Sequence, residues 1–179
     1  MRLQLTAVAL LACSAIVIAD EKKPASEFAR TTIDLGTVVS DVEKSVKFYT
    51  EAIGFKEIEG FSVPGEYCKD VGLTDGQPLK VRVLVLGEGE TATKLKLMQI
   101  PGAKTKKSDN EFIHSQYGFR YLTIFVNDTT AAMERLTRAG VKTVAKTPME
   151  LPKGLPQGVF LTIVRDPDGN LVELVGPKK

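Results

Sequence analysis

LGTVVSDVEKSVKFYTEAIGFKEI (residues 35–58) returns in degraded form as YLTIFVNDTTAAMERLTRAGVKTV (residues 121–144). Each copy reads as an apolar strand, an aspartate, an amphipathic helix, a glycine and a second strand. Asp41 and Asp128 lie 87 residues apart, and Gly54 and Gly140 lie 86 apart. A repeat of this size is one supersecondary unit that needs its partner to bury a face. The duplication points to a two-module domain with a shared cleft, and the cleft is where function is expected.

Working outward, residues 32–40 are rich in β-branched side chains and predict a strand. Ser40 or Asp41 can accept from the free amides of the next turn and so start a helix. Val42, Val46, Tyr49 and Ile53 follow at helical spacing, Gly54 ends the helix, and residues 55–59 return as a strand. A loop carries Pro64-Gly65 and Asp75-Gly76; strands at 79–86 and 94–100 then flank a turn at Gly87-Glu88-Gly89-Glu90. The second half repeats the order: a strand at 121–126, a helix capped by Asp128 with Ala132, Leu136 and Ala139, a stop at Gly140, and a strand at 141–145. After a loop at 148–156, strands 158–164 and 171–175 form a hairpin across Asp166-Pro167-Asp168-Gly169-Asn170, where proline presets φ and glycine accepts positive φ. The expected fold is α+β: two βαβββ modules, residues 32–101 and 119–176, forming an eight-stranded incomplete barrel around a central cleft.

With 179 residues and 43% hydrophobic content, one globular domain is expected. The charge balance, 24 basic against 22 acidic residues, lacks the basic stripe of a nucleic-acid binder. Residues 1–19 read as a secretory signal: one arginine, an uncharged apolar run from Leu5, and an exit after Val17-Ile18-Ala19. That run is shorter than the roughly 20 residues a membrane span needs. Export to the periplasm or the outside follows, with no transmembrane segment in the mature chain and residues 20–31 as a polar tether. Leu10-Leu11-Ala12-Cys13 resembles a bacterial lipobox, which leaves lipidation at Cys13 as the minor alternative. Cleavage after Ala19 leaves only Cys68, so no intramolecular disulfide can form.

The chain resembles the vicinal oxygen chelate superfamily, the glyoxalase, bleomycin-resistance and extradiol dioxygenase group. The residues that carry the likeness are Gly36-Thr37-Val38-Val39-Ser40-Asp41, Phe48-Tyr49, Gly54-Phe55, Arg165-Asp166-Pro167-Asp168-Gly169-Asn170 and Glu173-Leu174. The likeness spans residues 32–176. Many enzymes of that group place His, Glu, His and Glu on the first and last strands of each module to hold one divalent metal. The resemblance carries those four positions onto Asp34, Lys96, Tyr121 and Glu173. A shift of a few residues would exchange Lys96 for Leu97 or Gln99 and reopen the question of a metal.

Only Glu173 keeps the expected ligand chemistry, and a protonated lysine cannot ligate a metal at all. An ammonium about 4 Å from a dication repels it by roughly 8 kcal/mol at an effective dielectric of 20, twice the unit-charge figure. No metal and no cofactor are therefore expected. Lys96 is expected between Asp34 and Glu173, offering its ammonium to a ligand oxygen; a purely structural ion-pair network is the competing reading. The single histidine, His114, lies in the crossover between modules, and His114 or Glu173 is the expected general base if the site is enzymatic. Two functions remain open. One is a module that binds a small polar molecule without chemistry, as bleomycin-resistance proteins do; the other is a divergent metal-dependent lyase, isomerase or dioxygenase. A homodimer is left open.

Overall fold

The computed structural model describes residues 28–179, so the expected export signal, Cys13 and most of the expected tether lie outside the described residues. The first module runs β1 (Asp34–Val38), α1 (Val42–Lys47), β2 (Lys56–Val63), α2 (Gly65–Asp70), β3 (Leu79–Leu86) and β4 (Thr93–Met98). The second runs β5 (Tyr121–Phe125), α3 (Thr129–Arg138), β6 (Met149–Glu150), β7 (Val159–Arg165) and β8 (Leu171–Pro177). They build two four-stranded mixed sheets, ordered β1-β4-β3-β2 and β5-β8-β7-β6. Each sheet pairs its first strand parallel to its last, and the remaining pairs are antiparallel. The sheets do not close on one another, which gives the incomplete barrel its open form.

Local chemistry explains the helix starts. The Asp41 carboxylate accepts from the Lys44 amide at 3.0 Å, and Asp128 does the same for the Thr130 amide at 2.8 Å. Past Lys47 the first helix widens into a π-helical stretch, Phe48–Ile53, in which the Gly54 amide reaches back five residues to the Tyr49 carbonyl at 3.0 Å. Gly54 then leaves the helix at φ 101°, a conformation that favours glycine.

One core serves both modules. Val46, Tyr49, Ala52 and Ile53 from the first helix meet Ala132 and Leu136 from α3, between Leu95 and Leu97 of one sheet and Val172 and Leu174 of the other. The duplicated helices thus bury their apolar stripes against each other and against the inner faces of both sheets. Arg135 fastens the junction by donating from Nε to the Ala52 carbonyl at 2.9 Å.

Two elements differ from the sequence reading. Residues 141–145 do not form a strand: only Thr143 makes a lone bridge, to Val164. Ala145 sits at φ 52°, so the chain cannot stay extended there. The edge strand is instead β6, inside the segment expected to be loop. In the first module α2 rises from the expected loop after Pro64, whose extended backbone leads directly into the helix.

Candidate functional site

The strand ladders define equivalent positions in the two sheets. In the first, Lys96 stands between Gly36 and Val83; in the second, Glu173 stands between Thr123 and Ile163. Residues directly opposite in a ladder share a face. Lys96 and Glu173 therefore occupy corresponding places on the sheet faces turned away from the shared core. Asp34 and Tyr121 begin the corresponding first strands.

Asp34 and Lys96 are brought together. Lys96 Nζ lies 2.9 Å from Asp34 Oδ2, and Arg30 Nη2 approaches the same oxygen at 2.9 Å. The Asp34 side chain is only 13% exposed, and its Oδ1 is buried without a hydrogen-bond partner. The Lys96 ammonium holds the Asp34 carboxyl below its ordinary range; burial opposes this, and Arg30 adds to it. Glu173 has a different partner: Thr123 donates to its Oε2 at 2.7 Å. Among the described residues no hydrogen bond or ion pair joins Lys96 to Glu173. Tyr121 shares the face of Thr123 and Glu173, lies opposite Leu171 and is half exposed. His114 is exposed in the crossover, stacked on Phe112 with ring centroids 5.6 Å apart. It contacts none of the other four.

Thr123 escaped the sequence reading, although it alternates with Tyr121 along one strand and its period-2 spacing marks it as a residue of the same face. A second network was also missed. Asp166 is buried at the β7–β8 turn and accepts from the Tyr49 hydroxyl at 3.0 Å, from the Asn170 side-chain amide at 2.8 Å, and from the backbone amides of Asp168 and Asn170 at 3.0 and 2.8 Å. Burial and the neighbouring Asp166 carboxylate push the Tyr49 hydroxyl well above its usual pKa, so it stays a donor. Beside this hub lies a cavity of about 500 Å³, walled by Val38–Ser40 of the first module, by crossover residues from Gln99 to Ser108, and by Pro167, Asp168 and Asn170 of the second. A smaller cavity of about 260 Å³ adjoins it at Gln99 and Pro101, beside Arg82. Asp34, Lys96, Tyr121, His114 and Glu173 line neither. Val38, however, belongs to the face of Lys96 and also lines the larger cavity, so the two places are neighbours along β1.

A doubled βαβββ plan with the Asp166 turn is what a family comparison can test, and the sequence profile of the Glyoxalase/Bleomycin resistance protein/Dioxygenase superfamily matches residues 33–174. The chain belongs to this superfamily. No curated protein sequence matches it. Among solved structures it is similar to a glyoxalase family protein from Bacillus cereus, at TM-score 0.67 and 18% identity, covering 88% of this chain and 99% of that one. A mutant glyoxalase I from Zea mays aligns at TM-score 0.59 and 21% identity over 83% of this chain, which spans 46% of the maize chain. The trypanothione-dependent glyoxalase I of Leishmania major aligns at TM-score 0.52 and 21% identity, covering 83% of this chain and 87% of that one. Identities this low establish the shared fold and leave activity to the site.

Of the four positions that the resemblance aligns with metal ligands, Asp34 and Glu173 carry carboxylates, Tyr121 a phenol and Lys96 an ammonium, which cannot ligate a metal. One Asp34 oxygen, Oδ2, carries two positively charged donors, Lys96 and Arg30, while Oδ1 has no partner. Among the described residues, no three of His, Cys, Asp and Glu converge as a group able to hold a metal.

Proposed function

We propose that this superfamily member is an exported binding domain that takes a small polar molecule against its sheet faces, with the Lys96 ammonium standing where relatives hold a divalent ion. The observation that supports this reading is the 2.9 Å pair between Lys96 and Asp34. An ammonium carries three donors, of which Asp34 uses one, and the Lys96 side chain keeps 32% of its surface open. The remaining donors suit a carbonyl or anionic oxygen of the ligand. Glu173, steadied by Thr123, and Tyr121 supply an acceptor and a hydroxyl from the other module. No chemical step is needed for this role, and His114, stacked on Phe112, stands apart from it.

Elemental analysis of purified protein tests the reading directly, together with metal titration followed by thermal unfolding. One tightly held equivalent of zinc, nickel, iron or manganese would overturn it. So would a metal that stabilises the fold by more than about 2.7 kcal/mol at a hundredfold excess over its dissociation constant. Either result favours a divergent lyase, isomerase or dioxygenase, with Glu173 as ligand or base. Export is tested separately: mass spectrometry of the secreted or periplasmic protein should find Asp20 at the N-terminus. A homodimer would be seen as a doubled mass in sedimentation equilibrium.

A further inference from the structure

The 500 Å³ cavity at the module junction has a lopsided hydrogen-bonding character. Three of its side-chain acceptor oxygens are engaged. Gln99 Oε1 takes the Val42 amide at 3.0 Å, Asp168 Oδ2 takes the Ser40 amide at 3.1 Å, and Asn170 Oδ1 takes the Asn110 side-chain amide at 2.9 Å. Apart from the Asn170 amide, which donates to Asp166, several of its donors are free. Ser40, Thr105, Ser108, Lys106 and Lys107 line the cavity, and among the described residues their hydroxyls and ammoniums have no partner. Two cations against one carboxylate, that of Asp168, leave the wall net positive. Val38, Val39, Ile100 and Pro167 supply an apolar side. The volume lies in the range of sites that enclose organic ligands, about 300–1,000 Å³.

From these walls we infer that the junction cavity is a second ligand site, separate from the sheet-face position of Lys96, and that it takes an organic oxyanion: a carboxylate or phosphate head group on an apolar body. Charge-assisted bonds from Lys106 and Lys107 and neutral bonds from the three hydroxyls hold the head group. The apolar body rests on Val38 and Ile100. Since the walls come from both modules and from the crossover, a bound molecule spans the junction.

Isothermal titration of the full chain with phenyl phosphate, benzoate and neutral benzyl alcohol tests this. The expected result is binding of at least one of the two anions, with affinity at least about tenfold above that of the alcohol, the gain of roughly one charge-assisted contact. Amide resonances of residues 99–108 and 167–170 should shift together. The double variant Lys106→Gln/Lys107→Gln should weaken binding about tenfold. Lys104→Gln, in the same loop but outside the cavity wall, should change it less than about twofold. Failure of both anions to bind would overturn the inference, and so would equal affinity for benzyl alcohol. An equal loss in Lys104→Gln would do the same, by reducing the effect to general charge. Loss of binding in Lys96→Met, with binding kept in the double variant, would move the ligand to the sheet face. That result would overturn this site while sparing the function proposed above.

Discussion

In the first module, α2 covers part of the sheet face turned away from the core, while Val38, Ile58 and Phe61 on that face stay 46%, 45% and 48% exposed. Cys68 of α2 lies fully buried on Leu79, Val81 and Val83, with Val63, Met98 and Ile100 closing around them. The second module has no helix between β6 and β7, and its corresponding face leaves Tyr121, Phe125 and Met149 51%, 81% and 55% exposed. On the inner side the two modules agree closely: both present alternating strand residues and one helical stripe to a single cluster. Duplication therefore constrains the side on which each copy serves as the other's core. The outer side is released from that duty, and it has diverged in covering, in charge and in partners.

The contrast can be broken most sharply beneath α2. Val81→Ala removes two methyl groups from a filled face and should cost about 2 kcal/mol in urea denaturation. A loss no greater than that of a bare-face variant would show that α2 does not seal the first sheet. Next in size is the junction. Tyr49→Phe removes a buried donor from Asp166 and should cost about 1.5 kcal/mol by the same measurement; no loss would mean that this bond does not contribute to coupling the modules. Charge on the first face gives a smaller effect with a distinctive pH signature. Asp34→Asn should cost about 1 kcal/mol at neutral pH. The native Asp34 pKa is depressed, so its contribution is complete above the unfolded value near 3.9 and disappears as pH falls through the lower folded value. The gap between wild type and variant should be flat from pH 7 to about 5 and close below about 4; a gap that persists in acid would assign it to packing. Smallest of all, Phe125→Ser on the bare face should change stability by no more than about 0.5 kcal/mol.

The duplicated plan was legible because periodicity reports burial, and burial is what the copies share. Val46, Tyr49 and Ile53, and likewise Ala132 and Leu136, fall at helical spacing because each must reach the common core. The capping aspartates and the Asp166 turn were legible for a related reason: both satisfy backbone groups through residues adjacent in sequence. The parts that diverged were harder to read. Pro64-Gly65 resembles a turn, yet proline leads well into a helix, and a Cβ on Gly65 would lie 2.1 Å from the Gly76 carbonyl oxygen, so that close approach requires glycine. Residues 141–145 look like a strand by composition, but backbone pairing is long-range and Ala145 turns out of it. At the site, sequence could place Asp34 by its distance from Gly36 and Asp41, but it left Lys96 open to a shift of a few residues, and their pairing depends on the parallel register of β1 and β4. It could not foresee that Glu173 bonds to Thr123, since that pairing depends on the parallel register of β5 and β8. The junction cavity was invisible for the same reason: its walls come from three separate stretches of chain.

The bond from Tyr49 to Asp166 joins residues 117 positions apart. During synthesis the first module emerges with its helix already able to form, but the carboxylate that will satisfy its phenol is still far from being made. Half of the common interior is missing for the same interval. The shared interior can therefore be completed only after a long loop has closed, and such nonlocal closure slows folding. Until then the nascent first half carries an unfilled apolar stripe, a surface well suited to a chaperone.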